Sequence, residues 1–153
     1  ADQPMKRWTS GRRPCPLTCL LLAGLLSACA TTGEDDDSLY RALGAKPGIE
    51  ALTDRFLFHL AANERALPLF LNTDIERFRD QFSTQLCDLA GGPCTYRGDS
   101  MAATHRGMDI DRAQFNSVVE DLISAMEDRD VPVTAQNGLL QRLAPLYSQI
   151  RHR

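Results

Sequence analysis

His105 lies between two methionines, Met101 and Met108, in the stretch MAATHRGM. On a helix, residues three and four positions apart share a face, so this spacing predicts that the three side chains point the same way. A histidine on an apolar face is most often a core residue with satisfied ring nitrogens. Alternatively, its neutral imidazole binds a metal ion or a haem iron beside two soft, adaptable methionines. The residue types alone leave both interpretations open.

Aromatic residues could supply the apolar slot that a flat cofactor needs between helices. The candidates are Phe56, Phe70, Phe78, Phe82 and Phe115. Ordinary core packing is the alternative for all five. Two other histidines compete poorly with His105, because His59 is predicted to face the surface and His152 is next to the C-terminus. No paired carboxylates and no Ser/His/Asp arrangement can be placed in a cleft, which disfavours a hydrolase.

Four segments carry apolar residues at helical spacing, and they must position these side chains. The pattern predicts an all-α domain of four substantial helices with short connectors. The predicted inward positions are Ile49, Leu52, Phe56 and Leu60; Ile75, Phe78, Phe82, Leu86 and Leu89; Phe115, Val118, Val119, Leu122 and Met126; and Leu140, Leu143, Tyr147 and Ile150.

Capping and breaking residues predict where these helices begin and end. Two capping boxes are predicted, in Thr73–Glu76 and in Asp111–Gln114. Gly44 and the pair Gly91-Gly92 mark helix ends, and Pro145 predicts a kink in the last helix. The connection from 91 to 111 is long for a helical domain and contains His105, and loops of that length are usually functional or disordered.

Length and charge narrow the class of protein. The chain has 153 residues and a formal net charge of −3, which suits one domain with a real core. No basic run lies outside the N-terminal segment, so nucleic-acid binding is disfavoured.

The N-terminal segment has the pattern of a secretory signal. Basic residues at 6–7 and 12–13 precede a mostly apolar run from Leu17 to Ala30, which is shorter than the roughly 20 residues that span a bilayer. The run contains Leu26-Ser27-Ala28-Cys29, which resembles the lipobox of bacterial lipoproteins. That resemblance implies a signal peptide over 1–28, a lipidated Cys29 with an acidic tether over 29–37, and a domain over 38–153. By the same resemblance, to the lipoproteins of Gram-negative bacteria, Ala30 in place of an aspartate favours the periplasmic face of the outer membrane.

Two cysteines, Cys87 and Cys94, lie in the predicted domain, seven positions apart. In an oxidising compartment such a pair is a candidate disulfide. Two free, buried thiols are the alternative.

From Ser38 to Ile150 the chain resembles the truncated haemoglobins of the first group. The motifs that carry the resemblance are SLYRALG, LPLFL, Gly91-Gly92, TYRGDSMAATHRGMDI and then Phe115. The resemblance implies a two-over-two helical sandwich around haem b, with His105 as the proximal iron ligand. It also places Tyr96 of Tyr96-Arg97-Gly98 near the haem and packs Phe115 on it. The lipobox and GGPC stretch are similar to a lipoprotein-anchored branch of the family.

The sequence departs from that family on the side of the haem where gases bind. Many members carry a tyrosine after a phenylalanine on the first long helix, and here that position is Leu57. The usual polar residue of the second long helix falls at Phe78, followed by Gln81, Phe82 and Gln85. Gln81 is the preferred polar contact and Gln85 the next, while a solvated helix face is the alternative for both. An apolar pocket predicts fast oxygen release and suits nitric oxide, carbon monoxide or transient redox chemistry.

The sequence therefore predicts a lipid-anchored haem protein of the bacterial envelope that binds O2 or NO. Met101, Phe70, Phe115 and Val118 are expected to line the haem, with Leu57, Phe78, Gln81 and Phe82 on the gas-binding side. NO or redox detoxification would require an electron donor that the sequence does not identify. The alternatives are a haem sensor or carrier and a haem-free helical interaction lipoprotein, in which His105 is a core residue.

Overall fold

The computed structural model describes residues 37–151, and within that range its regular structure is helical without a strand. This confirms the all-α prediction. The predicted signal peptide, lipidated Cys29 and nearly all of the tether lie outside the described residues, as does His152. The helices are α1 Ser38–Ala42, α2 Ala45–Ala62, α3 Ile75–Leu89, α4 Met101–Thr104, α5 Arg112–Asp128, α6 Val133–Leu143 and α7 Tyr147–Ile150, with 3₁₀ turns at Leu67–Phe70 and Ala144–Leu146. Among the described helices, none combines the length and hydrophobicity that crossing a bilayer requires.

Helix α2 is the centre of the domain. It packs against both α3 and α5, and α6 packs against α1 and α3. The four predicted inward residues of α2 are all buried, and they pack with Leu86 of α3 and Met126 of α5 in one core. Each large apolar side chain buried in this way stabilises the fold by roughly 1.5–3 kcal/mol, so the helical stripes account for how α2, α3 and α5 assemble.

One predicted inward position is wrong. Ile75 is 45% exposed, because it is the first residue of α3 and its Cα–Cβ bond tilts toward the free end of the helix. In α6 the predicted Leu140 is half-buried and packs against the core, while its neighbour Leu139 is fully buried.

Turns at glycine separate the helices where the sequence predicts. Gly44 has φ +86° between α1 and α2, and Gly91 has φ +80° after α3. Both angles lie in the left-handed region, which glycine enters without a Cβ penalty. Pro145 lies in the 3₁₀ turn that separates α6 from α7, so the predicted kink is a break between two helices.

One of the two capping boxes is confirmed. Asp111 Oδ1 accepts from the N–H of Gln114 at 2.7 Å, and Gln114 Oε1 accepts from the N–H of Asp111 at 3.0 Å. The box predicted at Thr73–Glu76 is wrong, because Asp74 is the N-cap of α3 and accepts from the N–H of Arg77 at 3.0 Å. Thr73 is still part of the preceding turn, in which its N–H donates to Phe70 O at 3.0 Å.

Candidate functional site

A cavity of about 310 Å³ lies between α2, α3, α5 and the segment that carries α4. Nine of the predicted site residues line it: Phe70, Phe78, Gln81, Phe82, Tyr96, Met101, His105, Phe115 and Val118. The lining also includes residues that the sequence analysis did not assign to a site, among them Ile110, Leu143, Leu146 and Ile150. For Leu143 and Ile150 the only signal in the sequence was helical spacing, which does not separate a core position from a cavity wall. Ile110 and Leu146 lie outside the apolar stripes from which the helices were predicted.

His105 is held in the cavity wall by the main chain of its own turn. Its Nδ1 lies 2.8 Å from the carbonyl oxygen of Met101. A carbonyl oxygen can only accept, so in the neutral ring Nδ1 carries the proton and Nε2 keeps its lone pair. Within residues 37–151, Nε2 has no hydrogen-bond partner. The hydrogen bond thus fixes the ring orientation and leaves Nε2 as the basic atom at the cavity.

The predicted helix through Met101, His105 and Met108 is shorter than the spacing suggests. Helix α4 ends at Thr104, and His105 is its C-cap. Gly107 has φ +79° and turns the chain before Met108. All three side chains nevertheless line the cavity, so a turn rather than a helix face brings Met108 beside His105.

Helices α2 and α3 and the preceding turn give the cavity an aromatic wall. Phe82 is central to it, with ring centroids 5.0 Å from Phe56 and 5.4 Å from Phe78. Phe70 meets Phe78 edge-on at 5.4 Å. Side chains of this kind offer a ligand apolar surface and no hydrogen-bond donor.

Leu57 was predicted to lie in this wall, and that prediction is wrong. Successive helical residues are about 100° apart around the axis, so Phe56 and Leu57 cannot both face the cavity squarely. Phe56 is 2% exposed and lines the cavity, whereas Leu57 is half-buried against the core beyond it.

The polar groups of the cavity lie at its edge or are already engaged. Gln81 lines the cavity but is exposed. Gln85 is half-buried, and its Nε2 lies 3.6 Å from Met101 Sδ, a weak acceptor. The Tyr96 hydroxyl donates to the carbonyl oxygen of Asp99 at 3.1 Å. Burial, and then the charge of Asp99, raise the pKa of Tyr96, so its hydroxyl remains a neutral donor.

Gly98 allows Tyr96 and Gln81 to meet at this edge. A Cβ built on Gly98 would lie 2.6 Å from Gln81 Oε1 and would collide with the Tyr96 hydroxyl. A side chain at position 98 would have to displace the end of the Tyr96 ring and the Gln81 amide.

The other described histidine, His59, does not line the cavity. Its Nε2 lies 2.7 Å from Asp128 Oδ2 at the junction of α2 and α5, where Arg55 Nε also donates to Asp128 at 2.6 Å. Of the two histidines that the structure describes, His105 is the one that lines the cavity.

The structure has a disulfide between Cys87, at the end of α3, and Cys94, in the segment that leads to α4. Their Cα atoms are 5.8 Å apart. Gln85 and Tyr96, two residues outside the bridge on either side, both line the cavity. The bridge therefore connects two parts of the cavity wall.

Comparisons with known proteins match this arrangement. Residues 38–152 match a family described as bacterial-like globin. The chain is 30% identical to a group 1 truncated hemoglobin of Tetrahymena pyriformis over 94 residues, and this alignment covers 61% of the chain and 78% of the relative. It is 27% identical over 113 residues to the group 1 truncated hemoglobin GlbN of Nostoc sp. (strain MUN 8820), covering 74% and 96% respectively.

Solved structures give the same result for the fold. The Fe(III) form of the truncated hemoglobin from Tetrahymena pyriformis superposes with a TM-score of 0.73 at 25% identity, covering 75% of this chain and 98% of that one. The 2/2 hemoglobin from Synechococcus sp. PCC 7002, in the cyanomet state with covalently attached heme, has a TM-score of 0.61 at 22% identity, covering 69% and 87%. These structures confirm the two-over-two helical fold.

Proposed function

Because the chain belongs to the bacterial-like globin family, we propose that its cavity holds haem b and that the protein binds a diatomic gas, O2 or NO. The observation that supports this best is His105, whose Nδ1 is tied to Met101 O and whose Nε2 keeps its lone pair at the cavity. When bound, haem would supply an iron that can bind a neutral imidazole and a diatomic gas. His105 would be the proximal ligand.

The residues present fit that cofactor in two ways. The cavity volume of about 310 Å³ falls at the lower end of the roughly 300–1,000 Å³ of small-molecule and cofactor sites, and its lining is mostly apolar. In the described part of the chain, no three His, Cys, Asp or Glu side chains are grouped to hold a metal ion. A single imidazole suits an iron whose other ligands come with the cofactor.

The protein contributes positioning and exclusion of water. The Met101 carbonyl accepts from Nδ1 and fixes the orientation of the His105 ring. Phe56, Phe78 and Phe82 offer no donor, and the amides in the lining belong to the exposed Gln81 and to Gln85, whose Nε2 reaches Met101 Sδ. This arrangement favours a ligand that needs no hydrogen bond. This supports NO, or transient redox handling, over long-lived oxygen storage. Dioxygenation of NO would require an external electron donor.

Titration of the full chain with hemin, in detergent because residues 17–30 are apolar, tests the proposal. The wild type and His59→Ala should each give a stoichiometric Soret band, whereas His105→Ala should shift or lose it. His59 is the matched control, because it pairs with Asp128 outside the cavity. A wild type without a specific band would favour a haem-free interaction protein. Rapid haem transfer to an acceptor would favour a haem sensor or carrier.

The envelope location is a separate proposal, which rests on the lipobox-like Leu26-Ser27-Ala28-Cys29. A lipidated Cys29 would anchor the domain to the periplasmic face of the outer membrane through the acidic tether. Labelled fatty acid should be incorporated into the wild type and not into Cys29→Ser. Equal labelling of both would contradict the proposal.

A further inference from the structure

The disulfide borders a second recess, separate from the large cavity. This recess has a volume of about 220 Å³, and its lining includes both cysteines together with Lys46, Ser83 and Thr84. The function proposed above does not use it. Because both cysteines line this recess, an incoming group can approach the sulfur atoms through it without passing through the large cavity.

The two sulfur atoms differ in accessibility. Cys87 is 2% exposed and belongs to the core, whereas Cys94 is half-buried. Thiol–disulfide exchange requires a thiolate to reach one sulfur of the bond while the other leaves. The geometry therefore directs attack to Cys94 Sγ and makes Cys87 the leaving group.

We propose that this recess is a thiol–disulfide exchange site for a protein with two redox-active thiols, and that reduction there loosens the segment carrying His105. The second part rests on the proposed haem site, whereas the first part does not. The disulfide would thereby couple the retention of haem to the supply of reducing thiols.

The reaction balances with the partner as the two-electron reductant. The partner's thiolate attacks Cys94 Sγ, a mixed disulfide forms at Cys94, and the bond to Cys87 breaks to release its thiolate. The partner's second thiol then attacks the partner's first sulfur in the mixed disulfide, which forms the partner's disulfide and releases the thiolate of Cys94. The protein gains two thiols, with protons taken from the partner thiols or from solvent, and the partner gains a disulfide.

Weaker contacts hold the same segment to α3. The N–H of Tyr96 donates to Asp88 Oδ2 at 3.0 Å, and Gln85 Nε2 reaches Met101 Sδ at 3.6 Å. The N–H of Gly92 donates to Cys87 O at 2.8 Å. These bonds exchange with water on opening, whereas the disulfide does not. Reduction therefore removes the disulfide cross-link between α3 and this segment, and residues 95–105 then fluctuate over a wider range.

The exchange chemistry is tested on the full chain in detergent with an aromatic disulfide reagent as the probe. Peptide mapping would follow labelling at each position in Cys87→Ser and in Cys94→Ser. We expect the thiol left at Cys94 in the first variant to react about tenfold or more faster than the thiol left at Cys87 in the second. Equal rates, or a faster Cys87, would overturn the assignment of Cys94 as the attacked sulfur.

The effect on the segment is tested with dithiothreitol as the reductant. Without hemin, reduction should increase hydrogen exchange at the amides of residues 95–105 and leave those of α2 unchanged. With hemin, reduction should speed haem transfer to apomyoglobin about fivefold. The variant Cys87→Ser/Cys94→Ser should match the reduced wild type and not respond to dithiothreitol, which controls for Cys15, Cys19 and Cys29.

The outcomes separate the two proposals. If the oxidised chain binds no hemin, the proposed function fails, and hydrogen exchange still decides whether the disulfide restrains the segment. If the chain binds hemin and reduction changes neither hydrogen exchange nor haem transfer, the further inference fails and the proposed function stands.

Discussion

Phe78 and Phe82 stack within α3, with ring centroids 5.4 Å apart and planes inclined by 14°. The stack continues to Phe56 on α2 and to Phe70 in the preceding turn. Three of these rings are only partly buried, which places them on the cavity rather than in the closed core. The four rings therefore form an apolar wall and offer no hydrogen-bond donor themselves.

A donor placed in this wall should slow oxygen release. Phe78→Gln puts an amide where the ring now lines the cavity, and one hydrogen bond of about 1 kcal/mol slows dissociation roughly fivefold. Stopped-flow measurement of oxygen dissociation from the reduced haem complex checks this. Phe78→Leu is the control, because it changes size without adding a donor. Equal rates for the two variants would mean that the wall does not face the gas.

The main helices and their ends were predictable from the sequence because they depend on local chemistry. The apolar stripe of α2, the left-handed turns at Gly44 and Gly91, and the Asp111–Gln114 box each follow from residues close together in the chain. The two flanking methionines drew attention to His105, but they left a core role open, and its assignment as a ligand came from the resemblance to the truncated haemoglobins.

The errors arise where one residue of register decides the result. Phe56 rather than Leu57 lines the cavity, and Asp74 rather than Thr73 caps α3. The first depends on how α2 rotates against the rest of the domain, which periodicity fixes only to about one position. The second depends on where the preceding turn ends, since Thr73 N–H still donates to Phe70 O within it. The early end of α4 depends on Gly107, whose positive φ a helical pattern does not reveal.

The corrected cap gives a test of α3. Asp74→Ala should lower the free energy of unfolding by about 1 kcal/mol, since it removes the acceptor for the N–H of Arg77. Thr73→Ala is the neighbouring control and should cost less, because the Thr73 side chain makes no cap hydrogen bond. Chemical denaturation followed by circular dichroism measures both. A larger loss of stability in Thr73→Ala than in Asp74→Ala would support the capping box predicted at Thr73–Glu76 instead.

The disulfide should stabilise the fold as well as restrain the segment. Closing this short loop contributes about 2–3 kcal/mol in the chain-entropy model. Cys87→Ser/Cys94→Ser should therefore lower the free energy of unfolding by that amount relative to the oxidised wild type. Intact mass with and without reductant shows whether the wild type carries the bond. Two free thiols in protein isolated from an oxidising compartment would contradict the pairing.

The cluster around Asp128 should make stability depend on pH in the acid range. Hydrogen bonds from His59 and then from Arg55 lower the pKa of Asp128 below its ordinary value of 3.8. The folded state therefore binds fewer protons than the unfolded state in this range, and stability rises with pH. The contribution is fully present above 3.8 and is lost as the pH falls through the lower pKa of the folded state.

Asp128→Asn should therefore destabilise the protein at pH 7 and have progressively less effect as the pH falls below 3.8. Asp128 lies in the last turn of α5, where the helix dipole disfavours an anion, and the hydrogen bonds from His59 and Arg55 act against that effect. Glu127→Gln is the matched control, since it removes one negative charge from the same exposed turn. Urea denaturation between pH 3 and pH 7 measures both variants. If the two variants lose stability equally at every pH, net charge rather than the bonds to His59 and Arg55 determines the effect.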